Sequence, residues 1–318
     1  MAAEPVIEVE NLTKYYGNFP AISDVSFTVD KGEILGFLGP NGAGKSTTMK
    51  ILTGYMPPTE GVVRIAGYDV VSQSLEARKR MGYLPETVPL YTDMTVRGYL
   101  GFMGSIRGMS RDGIRRRTGD VVDICRLGDY TDTLIGKLSK GFRQRVGIAQ
   151  AILHEPDILI LDEPTIGIDP IQVVETRQLI KDLGTEHTVV ISTHILPEVS
   201  AICQRVVIIH EGEIVAMDSP ENLAERLQAS AQVVVDVRGP KEKVTAALKG
   251  IDGVQGVTVT PLERGTATYT VTSGRDQDIR EEVARQVVQQ GWGLLRQESL
   301  SMSLEEIFLR LTTEEPSS

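Results

Sequence analysis

An α/β core carrying a helical insertion, followed by a small α+β domain, is the fold that the sequence predicts. Three observations predict it. A continuous apolar run, ILGFLG, passes through a glycine loop into GKSTTMKILTG, the pattern of strand, tight turn and helix. From about Thr95 to Leu153 the periodicity is helical throughout. The C-terminal part then alternates strands and helices again, in an order unlike that of the core.

Taken in order, VIEVENL and VSFTV open the chain as strands, ILGFLG is the third, and VVRIAG and a short helix around SLEARKRMG follow. After GYLPE the helical insertion begins, broken at GMS and RLGDY. Strands return with ILIL, TVVIST and RVVII, separated by helices, so the insertion precedes what reads as the central strand. The helix ENLAERLQAS closes this unit. Beyond it come VVVDV, a helix over KEKVTAALKG, VQGVTV, ATYTV, the helix DIREEVARQVVQQ, and WGLLRQ. That β-α-β-β-α-β order is the split arrangement of ferredoxin-like domains. A last helix, SLEEIFLRLTT, and a disordered tail, EEPSS, are expected after it. The expected boundaries are 1–222 for the core, with a helical subdomain at about 87–154, then 223–230 for the end of a linker helix. The accessory domain takes 231–312 and the tail 313–318.

The 41% hydrophobic and 24% charged content is that of an ordinary globular protein. A formal charge of −10 speaks against a nucleic-acid binder, and none is expected as partner. Arg107, Arg111, Arg115, Arg116 and Arg117 form a dense basic patch and read as a solvated helix face. Cys125 and Cys203 stand far apart with no CxxC spacing, which indicates neither a disulfide framework nor a zinc site. No stretch has the apolar length of a membrane span, and MAAEPVIEVE lacks the regions of a signal peptide.

The glycine loop carries the first chemistry. Gly39, Pro40, Asn41, Gly42, Ala43, Gly44, Lys45, Ser46 and Thr47 contain the pattern G-x-x-x-x-G-K-[ST], placed between a buried strand and a helix. Glycines let the backbone curl until several N–H groups point inward at phosphate oxygens, and the helix N-terminus behind them favours an anion. Lys45 supplies positive charge for the β- and γ-phosphates, and the Ser46 hydroxyl suits Mg²⁺. Four apolar residues then lead into Asp162 and Glu163 in ILILDEP. Asp162, at a strand's carboxyl end, is the expected Mg²⁺ partner through water, and Glu163 the expected base for the attacking water. His194, at the end of TVVIST, can donate to the γ-phosphate and orient that water. His154, His187 and His210 have no such placement.

LSKGFRQRVGIAQAI poses a different problem. Ser139 is a good N-cap and Gly141 leaves the backbone bare at a helix start, yet no base, metal ligand or nucleophile partner lies beside them.

These motifs, in this order, resemble the ATP-binding subunits of ABC transporters over about the first 220 residues. LSKGF resembles that family's signature sequence, usually LSGGQ. The resemblance implies head-to-tail pairing of two subunits, in which Ser139, Lys140 and Gly141 of each close over the ATP bound to the other. A helix N-terminus with free N–H groups and a hydroxyl suits such an anion cap. Tyr16 resembles the aromatic that stacks on adenine, with Tyr15 as the alternative. Asp169 in GIDP matches the loop that crosses between subunits. Glu86 in GYLPE takes the place of a glutamine that touches the metal and senses the membrane partner. Two departures stand out. Glu86 brings a formal charge where a neutral amide is usual. Lys140 and Phe142 replace a glycine and a glutamine, which removes a flexible site and a donor but adds a cation. A working cap of altered affinity is expected.

Both variants, the stretch ETVPLYTDMTVRGYL and the C-terminal SLEEIFLRLT resemble the ABC-2 type exporter branch, nearest to its gliding-motility and copper-enzyme-maturation subunits. That resemblance implies an ATP- and Mg²⁺-dependent homodimeric motor at the cytoplasmic face of the membrane. It would hold polytopic permease subunits through about Glu86 to Tyr99, where Tyr91, Met94 and Tyr99 suit an interface and core packing explains Met94 and Tyr99 equally well. The other class considered is a soluble ABC ATPase acting on ribosomes or DNA. Against it stand the acidic charge, the lack of sustained heptads and the single phosphate loop. The accessory domain, with no cluster or nucleophile, reads as structural or dimer-stabilising. Cargo is not written in these residues.

Overall fold

The computed structural model describes residues 5–227, 231–262, 265–274 and 279–300. The SLEEIFLRLTT helix and the EEPSS tail lie outside them. The chain divides into two units, Met1–Pro220 and Glu221–Ser318.

The first unit opens with a long hairpin, β1 (Pro5–Tyr16) and β2 (Phe19–Asp30), paired antiparallel. Next come β3 (Ile34–Leu38), α1 (Lys45–Leu52), β4 (Glu60–Ile65), β5 (Tyr68–Asp69), α2 (Ser74–Lys79) and β6 (Met81–Leu84). The insertion consists of α3 (Val96–Ile106), α4 (Arg111–Ile124) and α5 (Lys140–Ile152). The unit finishes with β7 (Ile158–Asp162), α6 (Pro170–Leu183), β8 (Thr188–Thr193), α7 (Leu196–Ile202), β9 (Arg205–His210) and β10 (Glu213–Asp218).

Two sheets result. One is antiparallel, in the order β2-β1-β4-β5; the other has six strands in the order β10-β9-β3-β8-β7-β6. In the larger sheet only β10 runs antiparallel to its neighbour. All residues of β3, β7 and β8 are buried, as expected of parallel strands covered on both faces. The sequence reading placed the strand after the insertion at the centre of the sheet. The structure corrects this: β3 and β8 are central and β7 lies one strand from the edge. The apolar run of β7 reports burial on both faces, but crossover connections decide strand order. The sheets share one core, in which Phe27 and Phe37 meet at 5.6 Å between ring centres beside Met49, Ile51 and Ile160. Because β3, β7 and β8 are parallel, their carboxyl ends open on the same side.

Local capping sets the helix starts. Thr95, Ser110 and Ser139 accept the N–H three residues on, from Gly98, Gly113 and Phe142, and Asp169 accepts that of Gln172 ahead of Pro170. Within the basic patch, Arg117 donates to the carbonyls of Ile152 and Leu153 and pairs with Asp120. Arg107 donates to the carbonyl of Arg78. Arg117 thus ties two helices of the insertion together, and Arg107 ties the insertion to the core.

Helix α8 (Pro220–Leu227) starts on the last residue of the first unit and otherwise belongs to the second, where the sequence reading had it close the first; then come β11 (Ala231–Arg238), α9 (Lys241–Lys249), β12 (Val254–Pro261), β13 (Thr266–Ser273), α10 (Arg280–Gln289) and β14 (Gly293–Leu300). The sheet of this second unit has the order β12-β13-β11-β14, antiparallel throughout, so the first strand lies between the third and the fourth. Strict alternation in TATYTVTS turns Ala267, Tyr269 and Val271 inward against Val244, Val283 and Val287.

Candidate active site

Between β3 and α1 the backbone turns through Gly42 (φ 84°) and Gly44 (φ 105°). A side chain at Gly44 would be strained by that φ and would press its Cβ to 2.7 Å from the Ala21 carbonyl oxygen. Lys45 is 5% exposed, and its Nζ donates to the carbonyls of Gly39 (2.8 Å) and Pro40 (3.2 Å). Helix α1 begins without a side-chain cap or an acidic residue in its first turn. A bare helix start with a buried ammonium beside it fits a phosphate chain.

Asp162 and Glu163 follow at the end of β7. Glu163 sits at φ 48°, a conformation rare for a side-chain-bearing residue. Its N–H is held by the hydroxyl and the carbonyl of Ser192, both at 3.1 Å. Its carboxylate is buried between two cationic or donor groups: Oε1 lies 3.4 Å from Lys45 Nζ and Oε2 lies 2.9 Å from His194 Nδ1. Asp162 Oδ1 accepts from Ser192 Oγ and, at 3.4 Å, from Ser46 Oγ. Burial pushes the Asp162 carboxyl above the usual range, the two serine hydrogen bonds oppose this, and Glu163 and Glu86 add to it. The charge at Glu86 is therefore felt at Asp162. Ser46 and Asp162 are hard oxygen donors suited to Mg²⁺. Among the described residues no group of three or more His, Cys, Asp or Glu side chains could hold a metal. An ion completed by phosphate oxygens and water fits such a site.

A cleft of about 420 Å³ joins these parts, lined by Tyr16, Phe19, Asn41, Lys45, Glu86 and Glu163 among others. Tyr16 lines it and Tyr15 does not, because neighbours on a strand face opposite ways. Phe19, paired with Tyr16 across the hairpin, adds a second aromatic that sequence reading missed. Ser192 was missed as well. Its signal was a polar residue inside a wholly buried strand, which must have partners.

Ser139, Lys140 and Gly141 are not among the residues lining this cleft. Lys140 lines a second cleft, of about 410 Å³, with Glu86, Arg143 and Gln144. Gly141 lies directly beneath the Gln172 side chain, with no room for a Cβ. Asp169 caps α6. Phe142 stacks on Tyr130, with ring centres 4.2 Å apart, and carries the Arg145 guanidinium at 5.7 Å. Within Glu86 to Tyr99 the structure decides between the two readings of Tyr99 in favour of core packing. Tyr99 is 1% exposed, turned inward by the helix and packed on Tyr91 at 6.1 Å, and cannot meet a partner. Tyr91 (54% exposed) and Phe102 (40% exposed) present the aromatic surface instead, in edge contact at 5.6 Å.

Residues 22–166 match the family profile described as ABC transporter. The linearmycin resistance ATP-binding protein LnrL of Bacillus subtilis (strain 168) is 30% identical over 308 residues, spanning 96% of this chain and 98% of that protein. The chain belongs to the ABC transporter family. Another ABC relative, the bacitracin transport ATP-binding protein BcrA of Bacillus licheniformis, is 39% identical over 223 residues, 70% of this chain and 72% of its own. Among solved structures, the dimeric post-hydrolysis state of the ATP-binding cassette MJ0796 bound to ADP and Pi aligns with a TM-score of 0.61 at 25% identity. That alignment covers 67% of this chain and 98% of the cassette. This ABC chain is the ATP-binding subunit of its family and an ATP hydrolase.

The strained charge of this ABC site has a measurable consequence. A carboxyl whose pKa is raised by folding binds more protons in the native than in the unfolded state. Stability therefore falls as pH rises from its ordinary value, 3.8, through the raised one. Asp162→Asn removes that penalty and keeps an acceptor for Ser192. It is therefore expected to raise Tm at pH 7, by an amount that calorimetry on the two proteins reads directly. Mg²⁺-dependent hydrolysis should be lost at the same time. A lower Tm by calorimetry at pH 7 would show that the charge is not a burden.

Proposed function

We propose that this chain is the motor subunit of an ABC-2 type exporter, working as a head-to-tail homodimer at the cytoplasmic face of a membrane. One observation carries the reading: the phosphate loop and Glu163, which His194 touches from behind the cleft lining, share one cleft, while Ser139–Gly141 stand outside it at a capped helix start. Such a tip gains an anion to cap when a second copy supplies it. The names of LnrL and BcrA, which speak of resistance and transport, support a membrane role, and LnrL matches nearly the whole chain.

In the proposed reaction Tyr16 and Phe19 flank the base, and Lys45 and the loop amides hold the phosphates. Glu163 accepts a proton from water as the water oxygen bonds to the γ-phosphorus; the bond to the β–γ bridging oxygen breaks, leaving ADP and phosphate. His194 Nδ1, against Glu163, fixes the ring beside the base and leaves its other nitrogen for the γ-phosphate. Mg²⁺, held by Ser46 and through water by Asp162, would neutralise charge on the phosphate oxygens, with Glu86 beside it. Asp169 belongs to the loop facing the second copy. Tyr91 and Phe102 belong to the surface facing the permease.

Co-purification tests this. The tagged chain is drawn from detergent-solubilised membranes of its host with ATP present. A polytopic membrane protein in equal amount is the expected result. Ribosomes, DNA or no partner would overturn the exporter reading in favour of a soluble ATPase.

A further inference from the structure

We infer that Glu198 is a positioning residue that locks the loop carrying Glu163 to the strand end carrying His194. Glu198 lies on α7 and is 2% exposed. Its Oε1 accepts from Thr165 Oγ1 at 2.5 Å and its Oε2 from Thr193 Oγ1 at 3.0 Å. The Arg177 guanidinium, on α6, stands 3.6 Å from Oε1. Thr165 comes two residues after Glu163, and Thr193 immediately precedes His194. Thr193 Oγ1 also accepts the Ile195 N–H at 3.0 Å, shaping the turn that bears His194.

A buried carboxylate is tolerated only when its lone pairs are used. Here a single long ion pair balances its charge, while two directional hydroxyl bonds fix its place. The arrangement is two-sided. Successive residues of β8 point to opposite faces of the sheet, so Ser192 reaches Asp162 and the Glu163 amide while Thr193 reaches Glu198. The 2.9 Å separation of Glu163 and His194 is thus held from both faces of the strand. Glu198 itself bonds to Thr165, Thr193 and Arg177 and not to the phosphate loop, so its loss should act on the chemistry more than on nucleotide binding.

The inference rests on the proposed roles of Glu163 and His194. Glu198→Ala is expected to lower kcat about 30- to 100-fold, the cost of misplacing reacting groups by roughly 1 Å, with ATP affinity changed no more than about threefold. Glu198→Gln, which keeps the shape and one acceptor, should recover most of the rate. Thr165→Val, nearly isosteric, should cost about tenfold and keeps the test open if the alanine variant fails to fold. The His194 ring resonance, assigned through His194→Ala, should move in Glu198→Ala or Thr165→Val and return in Glu198→Gln. Wild-type kcat with an unmoved resonance in folded variants overturns the inference, as does a parallel loss of ATP affinity and kcat, which marks general packing. Failure of the underlying reading appears elsewhere, as normal turnover in Glu163→Gln, and leaves the resonance test of the clamp in force.

Discussion

Glu163→Gln is expected to lower kcat for ATP hydrolysis by about 10²- to 10⁴-fold while ATP still binds. The carboxylate is 4% exposed and lies between Lys45 and His194, and among the described residues no other carboxylate pairs with either. An amide of the same shape keeps these contacts but cannot take a proton from water. Removing one negative charge beside the phosphate chain also weakens repulsion of ATP, so affinity should hold or rise. The nucleotide-bound pair then accumulates. Single-turnover hydrolysis and light scattering on one preparation read both effects. Turnover near the natural rate would mean that another group serves as base.

Ser139→Arg is expected to abolish ATP-driven pairing and, with it, at least about 10²-fold of turnover, if hydrolysis needs the second copy's cap. Ser139 Oγ holds the Phe142 N–H, so losing the cap costs the helix about 1 kcal/mol. That is too little to unfold a domain with this core. The larger effect is steric and local: a guanidinium stem stands where the second copy's nucleotide should meet this helix start. Ser139 does not line the nucleotide cleft of its own chain, so ATP binding to the monomer should be unchanged. Scattering measured in the Glu163→Gln background isolates pairing from turnover. A dimer that still forms with ATP would defeat the trans-cap assignment.

Much of this site is carried by contiguous residues. Gly39 to Thr47 announce a phosphate loop because curling, charge and helix start all depend on neighbours in sequence. Asp162 and Glu163 are legible because a strand's buried run ends on them. Ser139 and Asp169 are legible as caps because a cap bonds to the residue three positions on. In the second unit, alternation in TATYTVTS and the helix patterns foretell both the elements and their inward faces.

Other features depend on which distant segments meet. Nothing local to TVVIST says that Ser192 will brace Asp162 and Glu163, or that Thr193 will turn to Glu198. Those pairings follow from β7 and β8 lying side by side, which the crossovers decide. Tyr99 fits an interface and a core equally well on sequence, because its neighbours are polar and apolar by turns; the packing of α3 within the insertion buried it and left Phe102 outside. Phe19 acquired its place at the cleft from the hairpin register that sets it opposite Tyr16. By itself the sequence determined the phosphate loop, the acids, the capped helix start and the two-unit plan, since each is short-range chemistry. Only the tertiary structure decided strand order and the polar bonds that orient the acids. Those are contacts between residues far apart along the chain, set when parallel strands align and their buried polar groups must find partners.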